Sequence, residues 1–318
     1  MRVLISGGFG FVGGRLAQHL HQAGHQVVLG SRTVSPSPEW LCDAEVVKMD
    51  WSDRDALIAV CTSVDVIIHA AGMNAQDSVA NPAEALAFNG LATAHLLDAG
   101  CKNGVKRFLY LSTAHVYGSP LEGTITEETC ARNLNPYATS HLAGESAVLH
   151  ATQRKQIEGI VLRLSNAFGA PAHAEANCWM LLVNDLCRQA VNLRSMTLRS
   201  TGLQRRDFIT LQDLSRVVDH MILLPNNQIG DGLFNVGSGK SSRIIDKVEL
   251  IQARCTEVLG YTPEIIRPQP AKNEQSSNLD YRIDKLLITG FSLSDNVVFE
   301  IDKTLRMRHD LRYGFKLI

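Results

Sequence analysis

The residues best suited to chemistry stand at the start of the chain. Ser6-Gly7-Gly8-Phe9-Gly10-Phe11-Val12-Gly13 sets glycine at 7, 10 and 13, directly after a short apolar run. A turn this tight needs positive φ, which glycine adopts freely. Where such a turn opens a helix, bare backbone N–H groups and the helix's partial positive charge suit a pyrophosphate. Its place at the first strand–turn–helix unit makes it a dinucleotide signal. Gly7, Gly10, Phe11, Val12 and Gly13 are therefore the expected cofactor cradle. The next strand ends Leu29-Gly30-Ser31-Arg32-Thr33. A fold preferring NAD places an acidic residue there for the ribose 2′-hydroxyl. Ser31 and Arg32 stand instead, and a guanidinium can clamp the 2′-phosphate of NADP. NADP is thus the expected cofactor, with NAD the alternative. Asp50-Trp51, after the third strand, suits an adenine-edge contact or an ordinary turn.

The elements that must position these residues alternate. Arg2–Ser6, Gln26–Gly30, Glu45–Met49, Asp65–His69, Arg107–Leu111 and Gly159–Leu164 read as strands. Phe11–Ala23, Pro82–Asn103 and Asn135–Gln153 read as helices. Continuous apolar strands between amphipathic helices imply a parallel sheet covered on both faces. The fold class is α/β, a Rossmann-type doubly wound sheet with a smaller α/β substrate-binding lobe. Beyond Gly169 the pattern changes. Cys178–Ala190, Leu211–Leu224, Lys247–Leu259 and Asn296–Leu311 read as helices, and Met196–Ser200, Phe208–Thr210 and Leu233–Val236 as strands. Pro268–Ser277 reads as an exposed loop. Residues 1–169 with about 207–240 form the expected cofactor domain, and about 170–206 with 241–318 the lobe. Cofactor should lie beyond the strand ends, where the glycine turn, Ala70-Ala71-Gly72 and Ser112-Thr113 converge.

Composition removes several classes. The chain has 318 residues, 45% hydrophobic and 20% charged, which is ordinary globular usage and a size that needs no disulfide or metal staple. Lys plus Arg is 31 against 32 for Asp plus Glu, so the basic excess of a nucleic-acid binder is missing. No apolar run is long enough to span a bilayer, and the N-terminal one is too short for a signal core. Seven cysteines without a Cys-x-x-Cys pair suit a reducing compartment, and the cytoplasm is expected. His19, His21 and His25 share no tight face, and no acidic or cysteine ligand joins them in the sequence, so no metal is expected. Lys303, Arg306, Arg308, Arg312 and Lys316 read as a solvated basic face.

Several segments fall in a familiar order: the glycine turn, His69-Ala70-Ala71-Gly72, Ser112-Thr113-Ala114-His115-Val116-Tyr117-Gly118 and Pro136-Tyr137. Arg163-Leu164-Ser165-Asn166-Ala167-Phe168-Gly169, Arg206-Asp207-Phe208-Ile209 and Phe234-Asn235-Val236-Gly237-Ser238-Gly239 continue it. Together they resemble the extended short-chain dehydrogenase/reductase family, its sugar-nucleotide epimerase and dehydratase branch, over nearly the whole chain. The resemblance implies hydride exchange between a nicotinamide and a sugar carbon. It makes Tyr137 the proton donor and Thr113 its hydroxyl partner. The family's lysine, four residues after the tyrosine, holds the nicotinamide ribose and lowers the tyrosine pKa. Here that position is His141. Tyr137 and His141 are i,i+4 and share a helix face. A fixed cation ~6 Å from a phenol, at an effective dielectric near 20, contributes roughly 3 kcal/mol, about two pKa units. A mostly neutral imidazole contributes little of that, yet can still hold a ribose hydroxyl.

The family's dehydratases resemble one another in carrying an Asp-Glu pair, or a Glu, just after the active threonine; Ala114 and His115 stand there. That disfavours a 4,6-dehydratase and leaves His115 as an acid or base, or as a hydrogen-bonding wall. Asn166 is implied in binding the nucleotide-sugar, with Arg206 and Arg282 facing its pyrophosphate, where guanidinium pairs well. Surface roles for Arg205 and Arg206 stay open. The expected enzyme is an NAD(P)-dependent 4-ketoreductase or epimerase in glycan precursor synthesis. Reduction of a non-sugar ketone is one alternative, and a dinucleotide-binding sensor or silent partner subunit another. Family members often dimerise through two helices, here Pro82–Asn103 and Asn135–Gln153, so a homodimer is expected.

Overall fold

The computed structural model describes residues 1–314; Lys316 of the basic face and the last residues of the lobe lie outside the described residues. Seven strands build the main sheet: β1 Arg2–Ser6, β2 Gln26–Ser31, β3 Glu45–Lys48, β4 Val66–His69, β5 Arg107–Thr113, β6 Glu158–Leu164 and β7 Leu233–Val236. Their order is β7-β6-β5-β4-β1-β2-β3, and every pairing is parallel. The chain reverses direction across the sheet at β1, which pairs with β2 on one side and β4 on the other. Such a switch point opens a crevice at the strand carboxyl ends, where open α/β sheets bind ligands.

The period-2 alternation of each strand sends side chains to two cores. Val3, Ile5, Leu109 and Leu111 pack under α1 Phe11–Gln22 and a helix at Leu211–Leu223. Leu4, Ile67, Phe108 and Tyr110 pack on the other face, under helices Arg54–Val60, Thr93–Lys102 and α2 Pro136–Gln153. A third core gathers α3 Leu182–Leu193, α4 Ile244–Leu259 and α5 Val297–Tyr313 with Phe168 and Phe208. It carries two small parallel pairs, Asn166–Phe168 with Phe208–Thr210 and Ser195–Thr197 with Glu264–Ile266. Segment 268–278 holds no helix or strand, as its composition predicts.

Three sequence expectations change. The single helix over Pro82–Asn103 is interrupted by a π-helical stretch, Leu86–Ala92, such as often marks a functional site. The helix expected from Cys178 starts only at Leu182, and Asn177 and Leu181 before it line the cleft described below. Two of the three histidines after the glycine turn meet one acidic residue, Asp219, 3.4 Å from His19 and 3.2 Å from His25, while His21 lies 3.7 Å from Asp43.

One buried ion pair joins the cofactor side to the third core. Arg15, in the second turn of α1, bonds both Glu300 oxygens at 2.6 and 3.2 Å and donates to the Ala170 carbonyl at 2.6 Å. Glu300 sits near the start of α5 and is fully buried. Among the described residues, no helix is long and apolar enough to cross a membrane.

Candidate active site

A cleft of about 450 Å³ opens at the carboxyl ends of β1, β4, β5 and β6. Its floor is the glycine turn. Gly7 has φ +70°, and a Cβ on it would sit 2.9 Å from the Ala71 backbone. A Cβ on Gly13 would sit 2.2 Å from the Gly7 carbonyl oxygen. The N-cap of α1 is Gly10, with no side-chain cap and no acidic residue in the first turn. The helix start is thus bare toward the cleft, with Gly10, Phe11, Val12 and Gly13 in its wall. This fits a dinucleotide pyrophosphate, which would use the donors that no side chain takes. Ala70, Ala71 and Gly72 form the facing wall, held by the Ala71 N–H donating to Ser6 Oγ at 3.2 Å.

Ser31, Arg32, Asp50 and Trp51, expected at the adenosine end, are not among the residues lining the cleft. Ser31 closes β2 and its Oγ accepts from the Thr33 N–H, while Arg32 is exposed with no ion pair among the described residues. Asp50 accepts from Lys48 and Ser52. Trp51 packs on His69 and Phe88 with ring centroids 5.7 and 5.3 Å away.

The opposite wall comes from β5 and α2. Asn135 caps α2 by accepting from the Tyr137 N–H at 3.0 Å, and Pro136 pre-sets the first helical φ. Tyr137 is thereby placed in the first turn, at the cleft. Residues 137, 141 and 145 follow at i,i+4 on one stripe. On β5, Tyr110 and Ser112 point to the α2 face by alternation, so each meets a member of that stripe. The Tyr110 hydroxyl lies 2.9 Å from His141 Nδ1. Ser112 donates to Glu145 at 2.5 Å, and Glu145 is clasped by Arg163 of β6 at 2.6 Å. Thr113 ends β5; it lines the cleft and also caps the next turn, accepting from the His115 N–H at 3.1 Å.

Burial raises the Tyr137 pKa above its ordinary 10, and a hydrogen bond with Thr113 pulls it back in part. Burial lowers His141 to about 4, so its imidazole is neutral at pH 7. His115 is lowered too, by burial and then by the Arg206 charge. No lysine, arginine or carboxylate lines the cleft among the described residues.

The glycine turn, Ala70–Gly72, Thr113, His115, Tyr137, His141 and Asn166 come together in one cleft. Asn166 spends one amide N–H on the Asp207 carbonyl at 2.9 Å. Arg206 lies close enough to act on His115 and has no ion pair among the described residues, whereas Arg205 donates to the Ser241 carbonyl at 2.9 Å. Arg282 is a correction. It is exposed, and its guanidinium is paired with Asp284 at 2.8 Å and Asp280 at 3.4 Å, outside the cleft lining. Flanking carboxylates i±2 on an exposed strand end hold it away. Sequence reading missed Ser165, whose buried Oγ lines the cleft with no hydrogen-bond partner, and it missed Tyr110. Ser165 lay inside a segment already singled out; Tyr110 gave only a strand signal.

The chain belongs to the NAD dependent epimerase/dehydratase family, which it matches over residues 3–237. It is 27% identical over 289 residues to the UDP-glucose 4-epimerase of Corynebacterium glutamicum, covering 85% of this chain and 84% of that protein. It is 26% identical over 314 residues to the dTDP-glucose 4,6-dehydratase of Streptomyces niveus, covering 94% and 89%. Among solved structures, the epimerase Mth375 from the thermophilic methanogen Methanothermobacter thermautotrophicus superposes with a TM-score of 0.81 at 25% identity, covering 98% of this chain and 93% of that one.

Proposed function

We propose that this chain is an NAD(P)-dependent enzyme acting on a nucleotide-activated sugar, as a 4-ketoreductase or epimerase. The observation that carries this is the meeting of Thr113, Tyr137 and His141 in one cleft with the bare helix start. The dinucleotide, when bound, supplies or accepts the hydride. Tyr137 gives a proton to, or takes one from, the sugar oxygen. Thr113 holds that oxygen by a hydrogen bond, and His141 holds the ribose. Asn166 meets the sugar nucleotide in the cleft, and Arg206, outside the lining but near His115, faces the diphosphate. The cofactor is held by 1–169 with about 207–240, and the sugar by about 170–206 with 241–318. Ala114 and His115 stand where dehydratases resemble one another in carrying carboxylates, which supports reduction or epimerisation over dehydration. The exposed Arg32, and the lack of an acidic residue ending β2, support NADP over NAD.

The exposed Leu86 and Leu91 on the interrupted helix support a homodimer through that helix and α2. Seven free cysteines support a reducing, cytoplasmic setting. Denaturing the purified protein and identifying the released nucleotide by mass spectrometry tests the cofactor: NADP(H) supports a reductase, while retained NAD(H) overturns the Arg32 argument and favours an epimerase. Protection of the cleft by free UDP, GDP or dTDP tests the substrate class; no protection by any of them would sink the sugar-nucleotide reading.

A further inference from the structure

We propose that Lys247 is a second cation for the diphosphate of the sugar nucleotide, acting beside Arg206 on the lobe side of the cleft. The proposal rests on the reading of this cleft as a sugar-nucleotide site and adds a residue that binds there.

The cleft wall on the lobe side includes Phe168 and Phe208, which meet edge to face with centroids 6.4 Å apart. Lys247, the fourth residue of α4, holds its Nζ over both rings, 5.6 Å from the Phe208 centroid and 6.0 Å from that of Phe168. Its ammonium therefore stands one aromatic layer from the cleft. Arg206 reaches the same place along the chain: it pairs with Ser242, just before α4, and lies two residues ahead of Phe208. The two cations thus converge on one wall of a cleft whose own lining carries no charge among the described residues.

Both are half-buried, and among the described residues neither makes a hydrogen bond or an ion pair. The acids around Lys247 are Asp207, Asp246 and Asp295, and each is engaged elsewhere. Asp207 is fully buried and accepts from the Ser238 N–H and hydroxyl at 2.8 Å each and from the Lys240 N–H at 3.2 Å. Asp246 is clasped by Arg243 at 2.6 Å, and Asp295 lies 3.6 Å from Lys240. Burial lowers the pKa of both cations from their ordinary values, and for Lys247 the three acids offset this only in part. By contrast, the buried guanidiniums of Arg15 and Arg163 each hold a carboxylate. Desolvated positive charge without an anion costs free energy, of which an aromatic face returns only a part. A diphosphate seated against Phe168 and Phe208 supplies the missing anion. The flexible four-carbon stem of a lysine lets the ammonium move from the rings to a phosphate oxygen.

Calorimetric titration of the full chain tests this, with the glycine turn filled by saturating NADPH or NADH. The probes are UDP, GDP and dTDP, their free nucleosides, and inorganic pyrophosphate. Lys247→Met keeps the length of the side chain and loses its charge. It should weaken the nucleoside diphosphate that binds by about 10-fold, flatten the salt dependence of that binding, and leave affinity for the free nucleoside unchanged. Lys247→Arg should restore most of the loss. Equal diphosphate affinity in wild type and Lys247→Met overturns the proposal. So does an equal loss on nucleoside and diphosphate, which a merely structural role would give. If Lys247→Met does not fold, Lys247→Gln takes its place. Should no nucleoside diphosphate bind, pyrophosphate separates the two claims. Pyrophosphate held by wild type and weakened in Lys247→Met keeps the cationic site and overturns the sugar-nucleotide reading. Pyrophosphate left unbound, or bound equally by both proteins, then overturns the two together.

Discussion

Tyr137 and His141 meet edge to face, with ring centroids 4.6 Å apart and planes at 72°. The pair occupies the place where the family resemblance sets a phenol beside an ammonium, and neither ring carries charge at pH 7. His141→Lys should therefore stabilise the Tyr137 phenolate and lower its pKa by about two units. In the oxidising direction the rate limb that needs phenolate should move down in pH by that amount, and turnover at pH 7 should rise. A full pH–rate profile of both proteins checks this. An unmoved limb would mean that the site is built around the imidazole.

Tyr137→Phe removes the hydroxyl proposed as proton donor and keeps the ring. Turnover should fall by about 10²–10⁴-fold, the usual worth of a placed acid–base group. Cofactor affinity should barely change, because His141 and the glycine turn remain. Steady-state kinetics beside a cofactor titration separates the two. Equal losses in turnover and cofactor affinity would argue that Tyr137 acts in binding.

Acid should weaken the fold through two buried histidines. His141 and His69 have folded pKa values of about 4 and about 3, both set first by burial, against an ordinary 6.5. Between those limits the unfolded chain binds more protons, so stability is complete above pH 6.5 and is lost as pH falls toward the folded values. By pH 5 each histidine should cost about 2 kcal/mol. Urea unfolding at pH 7, 6 and 5 checks the slope, and His141→Gln should remove about half of this contribution. Equal slopes in wild type and variant would show that His141 is already protonated in the fold.

Glu145 and Arg163 are both buried, with side chains 2% and 7% exposed. Removing one partner leaves the other charge uncompensated, so Glu145→Gln should destabilise by about 3–5 kcal/mol. It should also loosen Ser112 and, through it, the end of β5 that carries Thr113. Urea midpoints measure the first effect. A midpoint within experimental scatter of wild type would show that water replaces the carboxylate.

The glycine turn and all seven sheet strands are legible because their signals are local: continuous apolar runs, glycine spacing and helix periodicity. The strand pairs at Gly123–Ile125 with Leu279–Tyr281 and at Arg205–Arg206 with Ser242–Arg243 left no such trace. Two or three residues cannot show a period. Arg282 was misplaced because a lone arginine gives no hint that Asp280 and Asp284 will take it. Tyr110 carries only a strand signal in the sequence, and its hydroxyl partner lies 31 residues away on α2. Strand parity puts Tyr110 and α2 on one side of the sheet; only the packed register says which residue it meets.

The Arg15–Glu300 pair gives the chain an unmodular character. A sugar-binding lobe grafted from a relative would bring its own last helix, and unless that helix carried a carboxylate in the Glu300 position it would strand a buried guanidinium one turn behind the cofactor cradle. Exchange of specificity between family members by swapping whole lobes should therefore fail here at dinucleotide binding before any sugar is tested, whereas grafts confined to cleft-facing loops leave that joint intact.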